Sequence, residues 1–412
     1  MHILLIHQYY LEKNDGGGSR WNEMSRIWAE QGHKVTVLAG MTHYNSGVKN
    51  ERYKGMCFYD DKNFEPGVRV IRSHVSEAYN VNFLGRLWGY FSFVFSSTYA
   101  GLFKANEKYD KIVVTSPPLF VGITAYILSI FKRIPFVFEI RDLWPESAID
   151  TGVVTNKFII KMAYWFEAFI YKKAKLINVL TPAFRTTLIE KKHVPADKII
   201  FIPNAADFSL SESLLKDFDA ATFRKEHDIP ADKFVITYVG AHGVANHLIQ
   251  VVETAELLKD KPVLFLLIGE GMQKAMLKEE AAKRGLSNIR FIDAVPKKEV
   301  FKYILASDIG ASVLKKVDTF KTVYSNKTFD YMSCKKPILM AIDGVSRELV
   351  EAADAGVYVE PEDPKDFAAK VELYRNDPAL MARQSESGYR FAKENFDRQV
   401  LATRYVEELK KI

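Results

Sequence analysis

The stretch ILLIHQYYLEKNDGGGSRWNEMSRIWAEQGHKVTVL, residues 3–38, decides the fold. It runs from an apolar tetrapeptide (residues 3–6) through the glycine turn Gly16 to Gly18 and a helical segment to a second apolar run (residues 35–38). Trp21, Met24 and Trp28 recur at three- and four-residue spacing, so one stripe of the helix is buried, and Gly32 ends it. Strand, glycine turn, helix and strand in that order make a βαβ unit.

Outward from this unit, strand-like runs recur at residues 68–71, 112–115, 136–138, 176–180 and 199–202, with helical stretches such as 158–173 between them. That alternation predicts a doubly wound parallel sheet. After Pro203 and Asn204 comes a polar stretch, residues 207–219, and then a second series begins at 234–239. It continues through 264–268, 289–292, 309–313, 337–340 and 356–359, with one helix marked by Leu248, Val251, Val252, Ala255 and Leu258. The expected organisation is α/β with two Rossmann-like domains, residues 1–205 and 206–388, facing a central cleft. A final amphipathic helix, residues 389–412, can return to brace the first domain. In such sheets ligands bind outside the carboxyl ends of the strands, so two such domains suit a two-substrate reaction.

Composition agrees with a globular chain of 412 residues, 48% apolar and 26% charged. The two cysteines, Cys57 and Cys334, make neither a disulfide framework nor a metal-ligand pattern, which points to a reducing, cytoplasmic setting. Charged and polar residues follow the first apolar run closely, unlike a signal peptide. Residues 117–131 and 87–103 are uncharged; the first is shorter than the roughly 20 residues of a spanning helix and reads as a buried helix. The second is diluted by glycines, serines and tyrosines and reads as a surface or buried helix. Basic residues are in excess in the first 200 positions, mostly from Lys157 to Lys198, where they interleave with Trp165, Phe166 and Phe169. This fits attraction to anionic lipid headgroups or a phosphate-bearing acceptor, or else a solvated helix face.

The strongest chemical signal is Ser325-Asn326-Lys327-Thr328-Phe329-Asp330-Tyr331-Met332, after the run 309–313. A helix starting near Asn326 would offer free backbone N–H groups and Lys327 to a pyrophosphate, with Asp330 one turn on to accept two ribose hydroxyls. The alternative is an ordinary helix start with Asp330 solvated. In the first domain, Glu139, Arg141 and Asp142 close an apolar strand at the ligand-binding edge. Arg141 can bind an acceptor phosphate or balance a leaving group, and Asp142 or Glu139 can orient or deprotonate an attacking hydroxyl; the alternative is an internal ion pair. Glu146 can instead cap a helix start. Gly269-Glu270-Gly271 reads as a strand-to-helix turn whose glycines suit backbone approach to a donor, and Asp217-Phe218-Asp219 reads as surface.

The block at 325–332 resembles the donor-site signature of glycosyltransferase family 4, and more closely the bacterial O-antigen and capsule branch that includes fucosaminyltransferases. The resemblance spans nearly the whole chain, through Gly32-His33-Lys34-Val35, Glu139-Ile140-Arg141-Asp142-Leu143-Trp144-Pro145-Glu146, Ile202-Pro203-Asn204 and Tyr238-Val239-Gly240-Ala241-His242-Gly243. It implies the GT-B fold and a retaining transfer with no required metal and no other cofactor. Donor contacts would come from Gly16, Gly17, Gly18, Gly240, His242, Gly269, Glu270, Ser325, Asn326, Lys327 and Asp330, with backbone near Ala294 and Val295 on the base. Three departures stand out. Thr322 occupies the place of the first of a glutamate pair and Asp330 that of the second, while Ala241 and Asn246 stand where members carry phosphate-binding cations. Lys327 is the leading replacement, ahead of Lys315, His242 and His247.

The expected activity is transfer from a UDP-sugar, N-acetylated in one version, to a hydroxyl of a lipid-linked saccharide at the inner face of the cytoplasmic membrane, with peripheral attachment and no nucleic-acid partner. The rivals are a nucleotide-sugar 2-epimerase, which needs no acceptor, and a non-catalytic nucleotide-sugar-binding partner.

Overall fold

Ile3, Leu4, Leu5 and Ile6 are fully buried, as a strand covered by helices on both faces demands. The computed structural model describes residues 1–13, 15, 20–42, 49–80, 83–150 and 154–412, so the glycine turn Gly16 to Gly18 lies outside the described residues. The chain divides into one unit of Met1–Glu12, Ser19–Pro203 and Gln399–Ile412 and another centred on Asn204–Arg398.

In the first unit the elements run β1 (His2–Ile6), α1 (Arg20–Glu30), β2 (Lys34–Gly40), β3 (Phe58–Glu65), β4 (Val68–Ser73), α2 (Phe83–Phe103), β5 (Lys111–Thr115) and α3 (Val121–Lys132). They continue with β6 (Phe136–Ile140), α4 (Glu146–Asp150), α5 (Lys157–Lys173), β7 (Leu176–Val179), α6 (Pro182–Glu190) and β8 (Ile199–Phe201). The sheet order is β3-β4-β2-β1-β5-β6-β7-β8, so the winding reverses between β1 and β5. The sheet is not wholly parallel. Strand β3 pairs antiparallel with β4 through a turn at Pro66 and Gly67, where Gly67 has φ +77°. Its polar sequence, FYDDKNFE, hid it from a hydrophobicity reading, since an edge strand half open to water needs few apolar residues.

The second unit runs α7 (Phe208–Asp217), α8 (Ala220–Glu226), β9 (Phe234–Val239), α9 (Ile249–Leu257), β10 (Val263–Ile268), α10 (Lys274–Lys283), β11 (Ile289–Ile292) and α11 (Lys297–Ala306). Then come β12 (Ile309–Val313), α12 (Asn326–Ser333), β13 (Ile338–Ala341), α13 (Val345–Ala352), β14 (Gly356–Tyr358), α14 (Pro364–Asn376) and α15 (Pro378–Asn395), before α16 (Arg398–Lys410). All strands are parallel, in the order β11-β10-β9-β12-β13-β14, and the winding reverses between β9 and β12.

The expected single helix at 389–412 is two helices. The chain leaves α15 at Phe396, where Ala206 N–H donates to Phe396 O and Arg398 N–H donates to Ala206 O, a pairing no continuous helix permits. Past this break α16 lies on α1: Trp28 Nε1–H donates to Ala402 O at 2.9 Å, and Tyr405 packs edge-on against Trp21 and Trp28. Within the stretch 117–131 the helix α3 begins only at Val121, and Ile130 and Phe131 near its end are exposed rather than buried. Among the described residues no helix is long and apolar enough to cross a membrane.

Candidate functional site

At the reversal in the second unit, β9 and β12 pair only through Ile309 with Ile236 and Gly310 with Thr237, and then part. Tyr331, from the middle of α12, fills the gap. Its Oη accepts Val239 N–H at 3.1 Å and lies 3.0 and 3.1 Å from the carbonyls of Thr237 and Ala311, either of which can take its proton. Gly310 makes room, because a Cβ there would meet the Tyr331 ring at 2.4 Å. The phenol thus satisfies strand groups left open by the parting sheet and fixes where α12 begins.

The start of α12 is an uncapped helix N-terminus. Ser325 stands at the cap position but its side chain accepts from no amide of the helix; its hydroxyl meets Ser312 Oγ at 2.6 Å. The first amide N–H groups therefore carry the positive end of the helix dipole without a side-chain acceptor. Lys327 lies beside them, half-buried, with its ammonium 4.9 Å from the centroid of the Tyr238 ring and 3.4 Å from Ser325 Oγ. Burial lowers its pKa to about 8, against a smaller opposing pull from Asp330. Lys327 makes no salt bridge among the described residues, so its charge stays available to an anion. Asn326 is exposed and Asp330 is half-buried one turn further on.

The loops after β9 and β10 are laced together in front of this helix. Gly240 N–H donates to Ile268 O at 2.9 Å and His242 N–H to Glu270 O at 2.8 Å. Gly269 has φ +146°, and a Cβ there would lie 1.9 Å from Gly240 O, so only glycine allows the two backbones to approach this closely. His242 is fully buried, and burial followed by the charge of Lys274 lowers its pKa to about 4. The lowered pKa favours the neutral imidazole, whose two ring nitrogens have no hydrogen-bond partner among the described residues. Lys315 is exposed, with its backbone N–H on Ala245 O, and His247 adopts φ +45° after a short 3-10 turn. Ala294 is exposed and Val295 half-buried at the carboxyl end of β11. Lys274, which the sequence reading missed, ties this edge together by donating to Glu270 Oε1 at 2.7 Å and Asp293 Oδ1 at 2.5 Å. The spacing of Glu270 and Lys274, one helical turn, was the available signal.

In the first unit the predicted carboxylates divide. Glu139 is fully buried; Arg20 donates to both of its oxygens at 3.2 and 2.9 Å, Asn178 Nδ2 at 2.8 Å and Thr115 Oγ1 at 3.3 Å. Arg20 also reaches the carbonyls of Ile202 and Pro203. With its lone pairs so engaged, Glu139 holds β6, β7 and α1 together; the internal ion pair is the reading its geometry supports, with Arg20 rather than Arg141 as partner. Glu146 likewise is not simply a helix cap, because Lys192 bridges it to Glu167. Asp142 is different: its Oδ2 accepts from Ser147 Oγ at 2.7 Å, and burial, then that bond in opposition, leaves its pKa raised.

Two further residues stand at the same sheet edge, just past β1. His7 is buried, its pKa pushed far down by burial and then by the charges of Arg141 and Arg72. Its Nδ1, and both polar atoms of the buried Gln8 amide, find no hydrogen-bond partner among the described residues. Polar atoms so placed at a switch point are suited to a ligand. Sequence reading passed over them because a His-Gln pair after a strand has no pattern of its own.

Two Rossmann-like units, each an α/β sheet with its own switch point, define a protein of the GT-B fold. Residues 15–205 match the glycosyl transferase 4-like domain and residues 219–391 the glycosyl transferases group 1 domain. The chain is a glycosyltransferase built from these two domains. It is 27% identical to the Escherichia coli protein named "Putative colanic acid biosynthesis glycosyl transferase WcaI", over 72% of this chain and 74% of that one. It is 22% identical to the alpha-D-kanosaminyltransferase of Streptomyces kanamyceticus over 64% of this chain and 67% of that one. In fold it is similar to Anabaena HepE in complex with UDP, with a TM-score of 0.71 at 17% identity over 100% of both chains. A Rickettsia africae glycosyltransferase gives 0.73 at 15% identity, over 100% of this chain and 98% of that one.

Proposed function

We propose that this glycosyltransferase moves a hexosyl or N-acetylhexosaminyl group from a UDP-sugar to a hydroxyl of a lipid-linked saccharide in the assembly of a bacterial surface polysaccharide such as an O-antigen, capsule or exopolysaccharide. The transfer retains anomeric configuration and requires no metal. The reading rests on one observation above the others: Lys327, without a salt bridge among the described residues, stands beside the uncapped start of α12 at the switch point. A diphosphate there would be met by a cation and by backbone N–H groups, and Asp330 would accept the ribose hydroxyls. The WcaI relative is named for colanic acid biosynthesis, and the HepE structure is a complex with UDP.

The acceptor oxygen attacks the anomeric carbon as the bond to the nucleotide diphosphate breaks. Charge develops on the leaving phosphate, where Lys327 and the helix dipole stabilise it. Asp142, its carboxyl shifted toward neutrality by burial, orients the acceptor hydroxyl or takes its proton, and Arg141 holds an acceptor phosphate. The test is a panel of nucleotide sugars against lipid-linked saccharides, with products read by mass spectrometry and anomeric configuration by NMR. A UDP-sugar converted without any acceptor would replace this reading with epimerase chemistry; tight UDP binding with no turnover would replace it with a binding role.

A further inference from the structure

The helices α2, α3 and α5 form one layer of the first unit. Successive right-handed crossovers toward β5, β6 and β7 place them on the same face of the sheet. Ser97 and Thr124 bond at 3.0 Å between α2 and α3, and Tyr126 meets Phe169 edge-on at 5.0 Å between α3 and α5. Gly101 allows the first of these approaches, since a Cβ there would strike Leu128 at 2.4 Å.

Each helix of this layer carries exposed large apolar side chains besides the face it buries, where a surface helix needs only the buried one. On α5 the inward stripe is Ala163, Glu167, Ile170 and Tyr171, all buried. Outward, Phe158, Met162 and Trp165 follow at helical spacing and are exposed, Phe158 by 71% and Trp165 by 61%. On α2 the outward stripe is Phe95, Tyr99 and Phe103, and on α3 it is Ile130 and Phe131, the latter 71% exposed. More than half of the large apolar side chains exposed among the described residues lie on these three helices. An apolar surface this broad is unusual on a chain that stays in water.

The charge on the layer has one sign. The three helices carry a single acidic residue, Glu167, which is buried on the inward side and bonded to Lys192 and Tyr171. Lys161, Lys172 and Lys173 of α5 are all exposed. Lys173 lies over the rings of Tyr126 and Phe169, 5.5 and 5.8 Å from their centroids. At the end of α5 it joins Lys172, Lys175, Lys198 and Lys411 around a recess of about 790 Å³, against only Asp197 and Glu408 among the carboxylate side chains there.

We propose that the α2–α3–α5 layer docks this protein on an anionic phospholipid surface, with its aromatic stripes at the level of the headgroups and the lysine-lined recess taking a phosphate-bearing headgroup. Aromatic and basic residues together on an interfacial helix face match both parts of such a surface, and no described helix is suited to spanning it. This deepens the reading above by giving the membrane of a lipid-linked acceptor a place on the chain, but it needs neither donor nor acceptor to be tested.

The experiment is flotation of the full chain with vesicles of phosphatidylcholine alone and of phosphatidylcholine mixed with phosphatidylglycerol. Binding is expected only to the mixed vesicles and falls as salt is raised. Lys161→Glu with Lys172→Glu lowers the partition coefficient by roughly tenfold or more. Phe158→Ser with Trp165→Ser abolishes binding, while circular dichroism and the thermal midpoint stay unchanged. Absence of binding to anionic vesicles, equal binding to both kinds, or variants that bind as the parent does would overturn the proposal. So would a dimer in light scattering that the aromatic double variant converts to monomer, which would make the face a self-interface. Calorimetry with UDP on the same variants tests the donor reading separately.

Discussion

The Oη of Tyr331 accepts the amide hydrogen of Val239 at 3.1 Å, joining α12 to β9 where the sheet of the second unit parts. The bond holds the start of α12 in place, because the position of its first turn follows from where its tyrosine is anchored.

Tyr331→Phe removes that acceptor and leaves a buried N–H without a bond. Urea unfolding is expected to show a loss of about 1–3 kcal/mol. UDP affinity, measured by calorimetry, falls with it as α12 loosens. Gly310→Ala, which places a methyl 2.4 Å from the same ring, is expected to cost about 1–3 kcal/mol through overpacking.

Lys327→Ala weakens UDP binding by about 1.5–3 kcal/mol, the worth of a charge-assisted bond, and Asp330→Asn weakens it in the same direction. The parent's affinity is also expected to fall as pH rises through about 8, where burial has brought the lysine's pKa, and Lys327→Ala removes that dependence. The folding sign is opposite. A lysine whose folded pKa is lowered binds fewer protons than its unfolded form between about 8 and 10.5, so its contribution to stability improves as pH rises through that window. Calorimetry across pH checks the first effect and thermal melts the second.

Arg20→Met strands the fully buried carboxylate of Glu139 and is expected to cost about 3–5 kcal/mol by chemical denaturation. Arg20→Met combined with Glu139→Leu recovers much of this, because the pair is then replaced rather than broken. Equal stability of Arg20→Met and the parent would show that Glu139 does not depend on this partner.

Asp142→Asn is expected to lower kcat by about 10²–10⁴ with UDP affinity unchanged. Because burial raises its pKa, the parent's rate falls as pH drops through a value higher than that of a free aspartate. The variant loses that acid limb. A variant that keeps both rate and limb would remove Asp142 from the reaction.

Much of this protein was legible in residue order. The apolar runs at 3–6 and 35–38 became β1 and β2, and those at 234–239 and 309–313 became β9 and β12, since burial on both faces writes itself as a continuous apolar run. The block at 325–332 was readable as a helix start with Lys327 and Asp330 one turn apart, which is local geometry. Strand β3 was not readable, because an edge strand exposes half of its side chains. Nor was the break at Phe396, which arises from pairing with residue 206 rather than from a helix-breaking residue.

What the sequence determined by itself is therefore the two α/β series and the helix start at residues 325–332, because both rest on contacts within a few residues. The tertiary structure alone decided the partners. It paired Glu139 with Arg20 across 119 positions, set Tyr331 into the gap between β9 and β12, tied Lys274 to Asp293, and brought His7 and Gln8 to the edge shared with Arg141. Such pairings depend on which strand ends lie side by side, a property of sheet order that no local periodicity encodes.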